Sequence, residues 1–563
     1  MAFSKEIYAE LEQAVGPENV SQEPCILETY RCASHQSSCH YGPYKNRTPM
    51  PQAVALPSTT EEVQKLVKIC NKYKIKFKAS STFWSAHGYV GDDNSLQIDM
   101  RRMNHFTIDP KNMVMTIESN ILSADAQAEA MHYGLMVNVP GCGCSSSIIA
   151  STSGWAGAGP SSIYTGGNGE NLLTAEFVLP SGEIAVMGSG DFEKTGWFSE
   201  EGPGPSQRAI FRGGLGAKGE MGICTRMSIK LSPWPGPQVM KTYGLPPAYK
   251  ADLPENFKAY AICFPTWEKW AKAMMMLCDA EIVMAGHRQF SMFGRDIKGA
   301  MLEILLDPDK ELGDIPELLK DPKVQKMTES LKIEMYVVLA GFSPADTEWK
   351  EEALDEILRQ CDGWKDERSL EKDLTDYYKS YFIRLGHKNL NYTLCGSYEG
   401  CFGILQPNLI YSSSLCEEAS ALKSEWEKKG TFMAEVGGDS TMGAIGTMGG
   451  GGGPMLWEFF MHFDGHDEDS VNGTREFSQN VSNKWQMAHG FGPDFCNQTT
   501  NNRKPDGYYY TQEEHNKMFC NAPNPFTFLY QFKMRDAFNP NRLNGSYYAT
   551  LDPEYMKAHR KTE

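Results

Sequence analysis

The chain reads as an α+β fold of at least two domains, and three observations carry that reading. Through residues 48–236, short apolar strands alternate with a strongly amphipathic helix and several loops of small residues. From 237 to 510 the pattern changes to helical runs rich in Met, Leu, Glu and Lys between strand-like pieces. At 563 residues the chain also exceeds what one hydrophobic core normally organises. A hydrophobic content of 41% with 11% aromatics is that of a folded protein.

The formal charge is -17, from 54 basic and 71 acidic residues, which argues against nucleic acid or an anionic membrane as partner. Met1-Ala-Phe-Ser-Lys-Glu-Ile-Tyr lacks the apolar run of a secretory leader, and no stretch reaches the roughly 18 apolar residues of a membrane span. Fifteen scattered cysteines favour reduced thiols over a disulfide framework. Together these features fit a cytoplasmic protein.

Residues 1–47 read as a helix followed by a loop, in which Cys25, Cys32 and Cys39-His40 match no closed four-ligand metal pattern. Ser58-Thr-Thr-Glu61 predicts a capping box that opens a helix over 58–74, with Val63, Leu66, Val67 and Cys70 on one face. Lys76-Phe-Lys, Leu96-Gln-Ile-Asp-Met and Met113-Val-Met-Thr-Ile-Glu alternate as strands do, and Ala124–His132 reads as a helix stopped near Gly134. Beyond 237, helices are expected over 266–280, 312–332 and 346–360, with a strand at Glu334-Met-Tyr-Val-Val-Leu. Gly449–Gly453 is a turn with no Lys-Ser/Thr behind it, so it is not a P-loop. Near the C-terminus, Asn539-Pro540 should stop the helix that begins around Phe532.

Four loops of small residues carry the chemical argument. They are Ala79-Ser-Ser-Thr82 with Ser85-Ala-His-Gly88, Pro140-Gly-Cys-Gly-Cys-Ser-Ser-Ser147 running on to Gly159, Tyr164-Thr-Gly-Gly-Asn-Gly-Glu-Asn171, and Gly216-Ala-Lys-Gly-Glu-Met-Gly-Ile-Cys-Thr225. Small residues at strand ends present backbone amides without obstruction, as a pyrophosphate requires.

In this order and spacing the loops resemble the FAD-binding domain of the vanillyl-alcohol oxidase / p-cresol methylhydroxylase (PCMH) flavoprotein superfamily. The fourth loop is also similar to the glycolate- and D-lactate-dehydrogenase-like members. The resemblance implies a two-subdomain PCMH-type FAD-binding domain over 48–236, with residues 1–47 as part of it. It further implies an α+β substrate (cap) domain over 237–510 and a C-terminal segment, 511–563, that returns to the FAD domain. By the same resemblance, FAD would be held by Ser80, Ser81, Thr82, Ser85, Ala86 and His87 in the first loop. Pro140, Gly141, Cys142, Cys144, Ser145, Ser151, Gly154 and Gly157 would hold it in the second, followed by Asn171, Gly219, Gly222, Ile223 and Asn541. The chain departs from the pattern with Ser and Thr in place of first-loop glycines, Asn171 and Asn539 in place of Asp, and Arg542 in place of Gly. Noncovalent FAD is expected, with His87, Cys142 and Cys144 as the loop side chains able to bond to it.

On the substrate side, Met461-His-Phe-Asp-Gly-His-Asp-Glu-Asp469 offers His462 and His466. The family's Gly-Asp-Gly-Asn core is absent, and Ala488-His-Gly-Phe-Gly lacks the family's acid. A proton-accepting base, a divalent-metal pocket and a solvated acidic turn all remain open here, and no metal is assigned. Arg384 is the candidate anchor for a carboxylate or phenolate, with Tyr381 in the aromatic cluster beside it. The resemblance implies an FAD-dependent dehydrogenase or oxidase acting on a small-molecule alcohol-type substrate, either a 2-hydroxy acid or a phenolic alkyl or alcohol group. Electrons would pass to oxygen or to a carrier protein, and a homo-oligomer is compatible. The alternatives are a non-redox flavin-adduct enzyme, as in the ether-lipid synthase branch, and a flavin-free binding or scaffold protein on the same fold.

Overall fold

Three sheets, each covered by helices, form the frame. The structure, a computed structural model, describes residues 3–31, 49–83, 88–139, 145–153, 157, 159–191, 196–197, 210, 219–243, 250–251, 254–288, 295–382, 398–399, 404–406, 409–433, 455–457, 461–464, 467–477, 481, 485, 511–521, 525–545 and 551–561. Among these residues helix and strand are mixed throughout, as an α+β chain requires.

The first sheet sets Ala53–Ala55, Ser95–Asp99 and Lys76–Ser80 side by side and parallel, with Val20–Ser21 antiparallel on the outer edge. Parallel strands are covered on both faces, so Ala53, Val54, Ala55, Leu96 and Ile98 are all buried, and so are the polar Lys78, Gln97 and Asp99 in the same sheet. The helix Thr60–Tyr73 makes the crossover and lays Val63, Leu66, Val67 and Cys70 on the sheet. Its cap lies one residue later than the sequence suggested. Thr59 accepts from the Glu62 amide at 3.2 Å, and the Glu62 carboxylate reaches back to the Ser58 amide at 2.6 Å. Glu62, and not Glu61, stands three residues after the extended Thr59, so it is the acid able to return the bond. From the N-terminal helix Lys5–Val15, Leu11 and Val15 join the same core.

The second sheet is antiparallel throughout, in the order Phe106–Asp109, Val114–Glu118, Ile223–Lys230, Leu172–Val178 and Ile184–Val186. Its two central strands are almost wholly buried. Helix Ser123–His132 covers it through Ala126, Ala130 and Met131.

The third sheet runs Val283–His287, Glu334–Ala340, Phe257–Cys263 and Trp364–Lys365, again antiparallel. Alternation along Glu334–Ala340 separates two cores. Met335, Val337 and Leu339 meet Trp270, Met274, Leu354 and Leu415 from the outer helices. Tyr336, Val338 and Ala340 belong to one continuous core with Met131, Met136, Leu231 and Trp234 of the preceding region. The rings of Trp234 and Phe257 stand 5.4 Å apart at this seam. The expected helix over 312–332 is broken into Leu312–Asp314, Ile315–Leu318 and Pro322–Ser330. Pro322 has no amide hydrogen to continue a helix, so it begins a new one, capped by Asp321.

The C-terminal segment returns to the first sheet. Phe77 donates its amide to Leu543 O at 2.8 Å, and Gly545 donates to Phe77 O at 3.0 Å. Leu543–Gly545 thereby lengthens the sheet beyond Lys76–Ser80. The helix Pro525–Phe538 ends just before Asn539-Pro540, where the sequence predicted its stop.

Candidate functional site

Buried side chains pin the first small-residue loop at both ends and tie the second to the third and the fourth. At the first, Gln97 donates from one amide nitrogen to Lys78 O and Gly88 O, each at 3.0 Å, and so pins both ends of the loop. Ser80 is buried, and its hydroxyl accepts from the Phe83 amide at 3.3 Å. Gly88 passes so close to Ser80 that a Cβ there would lie 2.4 Å from the Ser80 oxygen. Phe83 takes φ 53°, a left-handed conformation that costs a side chain about 1–3 kcal/mol. Its ring is wedged against Tyr30 and Tyr89. Burial and Asp99 push the Tyr30 phenol up, so it stays a hydroxyl donating to Asp99 at 2.8 Å. Ser81 and Thr82 follow at the strand end and are partly exposed.

Asn138 organises the second and third loops. Its nitrogen donates to Gly157 O at 2.6 Å and to Asn168 Oδ1 at 2.9 Å, while its oxygen accepts from Ser162 at 3.0 Å and from Ser161 and Thr165 at 3.3 Å. Asn168 in turn donates to the Ser151 hydroxyl at 2.6 Å, and that hydroxyl donates to Ile148 O. Gly157 has φ 56°, and a Cβ on it would lie 2.5 Å from Asn168 Cβ and 2.8 Å from Ser151 O. Only glycine fits there. The buried Asn171 donates to Gly166 O at 3.4 Å. Ser145 is described and half-buried. Two residues on, Ser147 donates to Ser119 O, and Ser119 donates to Cys224 O, both at 2.7 Å. That chain joins the second loop to the fourth.

In the fourth loop, Gly222 has φ 126°, and a Cβ would stand 2.8 Å from Val178 O. Ile223 begins the central strand and is buried. Gly219 has φ 71°, and the atom its missing Cβ would meet is the ammonium of Lys78, at 3.2 Å. Asn541 is exposed and donates to Asn71 at 3.4 Å. Three residues later Asn544 is fully buried, and its side-chain amide has no hydrogen-bond partner among the described residues.

Ser85, Ala86, His87, Pro140, Gly141, Cys142, Cys144 and Gly154 lie outside the described residues, as do Arg384 and His466. His462 stands in the short strand Met461–His462, opposite Tyr398, and Tyr381 lies in helix Lys372–Phe382; the backbone of each is described. Asp467 caps helix Glu468–Glu476 by accepting from Asp469 N and Ser470 N. Among the described residues no three His, Cys, Asp or Glu side chains gather as a metal would need, and no helix is long and apolar enough to cross a membrane.

Sequence reading missed the wall opposite the second loop. Gly286 donates its amide to Pro160 O at 2.8 Å, which brings strand Val283–His287 against the end of that loop. His287 is buried and pairs with Tyr336. Arg288, Lys298 and Glu334 follow, all fully buried, with ion pairs of 3.4 Å (Arg288–Glu334) and 3.7 Å (Lys298–Glu334). Arg288 also lies over the Trp267 ring at 4.7 Å. The short apolar run Val283-Met-Ala-Gly ending in His-Arg was the available signal.

Comparison with known proteins agrees with this layout. Residues 51–188 match the FAD binding domain family. A D-lactate dehydrogenase of Anaerostipes hadrus is 25% identical over 187 residues, 33% of this chain and 37% of that protein. The 4-cresol dehydrogenase (hydroxylating) flavoprotein subunit of Pseudomonas putida is 26% identical over 205 residues, 34% of this chain and 37% of that protein. The matched stretch thus spans little more than a third of these relatives' own length. Crystalline p-cresol methylhydroxylase with substrate bound superposes with a TM-score of 0.70 at 15% identity, over 98% of this chain and 97% of that one, so the fold is shared end to end.

The residues present fit an FAD. Residues 79–88 and 140–162 contain no Asp or Glu, so nothing on the first two loops repels a diphosphate. Gly157 and Gly222 keep bare backbone where any Cβ would collide, and Asn544 holds a buried amide still able to accept and donate.

Proposed function

We propose that this chain, which carries an FAD-binding domain of the PCMH type, is an FAD-dependent oxidoreductase that takes a hydride from a small alcohol-type substrate. A 2-hydroxy acid or a phenolic alkyl or alcohol group is the substrate class. The observation that carries the proposal is a cradle whose first two loops hold no acidic residue, with Gln97 pinning the first loop and Asn138 and Ser119 tying the second to the third and fourth.

Bound there, FAD would supply the oxidised ring that accepts the hydride. The chain's own residues do the rest. The first two loops would present amides and hydroxyls to the diphosphate, with Ser80–Thr82, Ser85–His87, Pro140–Cys142, Cys144, Ser145, Ser151, Gly154 and Gly157 in contact or directly behind it. Asn171, Gly219, Gly222, Ile223 and Asn541 belong to the outer part of the same candidate set. His462 or His466 would take the substrate's hydroxyl proton, because a neutral imidazole is a base matched to neutral pH. Arg384 would hold the substrate's carboxylate or phenolate, with Tyr381 beside it. The segment 237–510 covers the substrate in this reading. Oxygen or a carrier protein takes the electrons onward. Residence in the cytoplasm and a homo-oligomer belong to the same proposal and are read by fractionation and light scattering.

The test is the visible spectrum of the purified protein before and after acid precipitation. Bands near ~370 and ~450 nm, with the colour left in the supernatant, are expected of noncovalent flavin. Anaerobic bleaching is then followed with 2-hydroxy acids and with 4-alkylphenols. Bleaching by either class with net dye reduction supports an oxidoreductase, whereas a protein that takes up no FAD would end the reading.

A further inference from the structure

Lys78 is nearly fully buried in the strand Lys76–Ser80, and Glu220 and Arg535 are likewise buried. These three charges come from the first sheet, the fourth loop and the C-terminal helix, separated by more than a hundred residues at each step. Two glycines show how they meet. A Cβ on Gly219 would lie 3.2 Å from Lys78 Nζ, and a Cβ on Gly545 would lie 3.1 Å from the same nitrogen and 3.4 Å from Glu220 Cγ. Both glycines are left-handed, at φ 71° and φ 66°. The bare backbone of the fourth loop and of the C-terminal strand therefore encloses one ammonium, with the Glu220 side chain alongside. Burial lowers the Arg535 guanidinium and the Glu220 carboxylate opposes the shift, so Glu220 acts on Arg535 from the same junction.

We propose that Lys78 is a positioning residue of the cofactor site: its ammonium, set between Gly219 and Gly545 beside Glu220, keys the fourth loop and the C-terminal strand to the first sheet, and FAD retention depends on that key. Buried charges are costly, and a uniformly apolar junction would be as stable, so such a group earns its place by fixing one arrangement. Here the arrangement is the register that sets Gly545 over Lys78. A one-residue slip would bring a side chain against the ammonium and turn the strand's faces over. The proposal rests on the FAD assignment and goes beyond it in naming residues of this chain.

The experiment measures the FAD dissociation constant and the apoprotein melting temperature for wild type, Lys78→Met, Glu220→Met and the double variant. Each single variant should weaken FAD binding at least tenfold by changing the charge enclosed at the junction of Gly219 and Gly545. The double variant, with neither of these two charges but with Arg535 still lacking Glu220, should recover part of the loss seen in Lys78→Met. A Lys78→Met protein that binds FAD as wild type does, or a double variant no better than Lys78→Met, would overturn the proposal. So would singles that lower only the apoprotein melting temperature. If Lys78→Met fails to fold, hydrogen exchange at the Phe77 and Gly545 amides of the wild type decides. FAD should slow both at least tenfold, and unchanged exchange would overturn it. Wild type that takes up no FAD would fail at the first measurement, which separates loss of the cofactor assignment from loss of this proposal.

Discussion

Two buried polar centres face each other across the hydrogen bond from Gly286 to Pro160. On the loop side, Asn138 uses both donors and its acceptor in neutral hydrogen bonds to Gly157, Asn168, Ser161, Ser162 and Thr165. On the sheet side, Glu334 faces Arg288 and Lys298 in full burial, at ion-pair distances longer than hydrogen bonds. The first arrangement shapes a backbone, since every bond ends on or beside a loop. The second joins strands and a helix, and no part of it lies on the four loops. Neutral networks fix geometry at low desolvation cost, whereas buried charges make the fold depend on every member.

The comparison breaks down if the two centres cannot be damaged separately. Glu334→Ala leaves two buried cations, and breaking a buried ion pair typically costs 3–5 kcal/mol, so a loss of about 4 kcal/mol is expected in denaturant unfolding. The surviving folded fraction should bind FAD as before. Gly157→Ala forces a Cβ against Asn168 and Ser151 O at a left-handed φ, for a loss of about 3 kcal/mol. Here FAD binding should fall along with stability, as flavin absorbance after gel filtration would record. Asn138→Ala strands the buried partners of one amide, at about 2 kcal/mol, again with weaker FAD. If Glu334→Ala releases FAD while Asn138→Ala does not, the assignment of the two centres is reversed.

Exposure sharpens the comparison for charges. Arg368 hydrogen-bonds Asp373 and holds its carboxyl down at about 2. Because the folded value lies below the unfolded one, this stabilisation is present above pH ~4 and is lost as pH falls through about 2. The Asp373 side chain is 46% exposed, so solvent screening reduces the effect to under about 1 kcal/mol. Asp373→Asn should therefore flatten the stability profile slightly between pH 4 and pH 2, far less than Glu334→Ala lowers it at neutral pH. A large effect would mean that the exposed pair is coupled to the core.

Local patterns were legible wherever local physics decides. The apolar face of Thr60–Tyr73, the strands around Phe77, Ile98 and Ile117, and the stop at Asn539-Pro540 could all be read from spacing. The loop glycines were legible as glycines, but the reasons for them were not. Gly157 makes room for Asn168 and Ser151, while Gly219 makes room for Lys78. The break at Pro322 was visible in the sequence and was overridden by the periodicity around it.

By itself the sequence determined the class of fold, the order of the loops and the lack of acidic residues in the first two, because backbone propensity, side-chain period and charge act over a few residues. Only the tertiary structure decided which buried groups meet. Lys78 lies against glycines 141 and 467 residues further along the chain, and Arg288 shares Glu334 with Lys298 across a strand pair and a helix. Such meetings depend on register and packing between distant segments, which a residue's own neighbours in the chain do not encode.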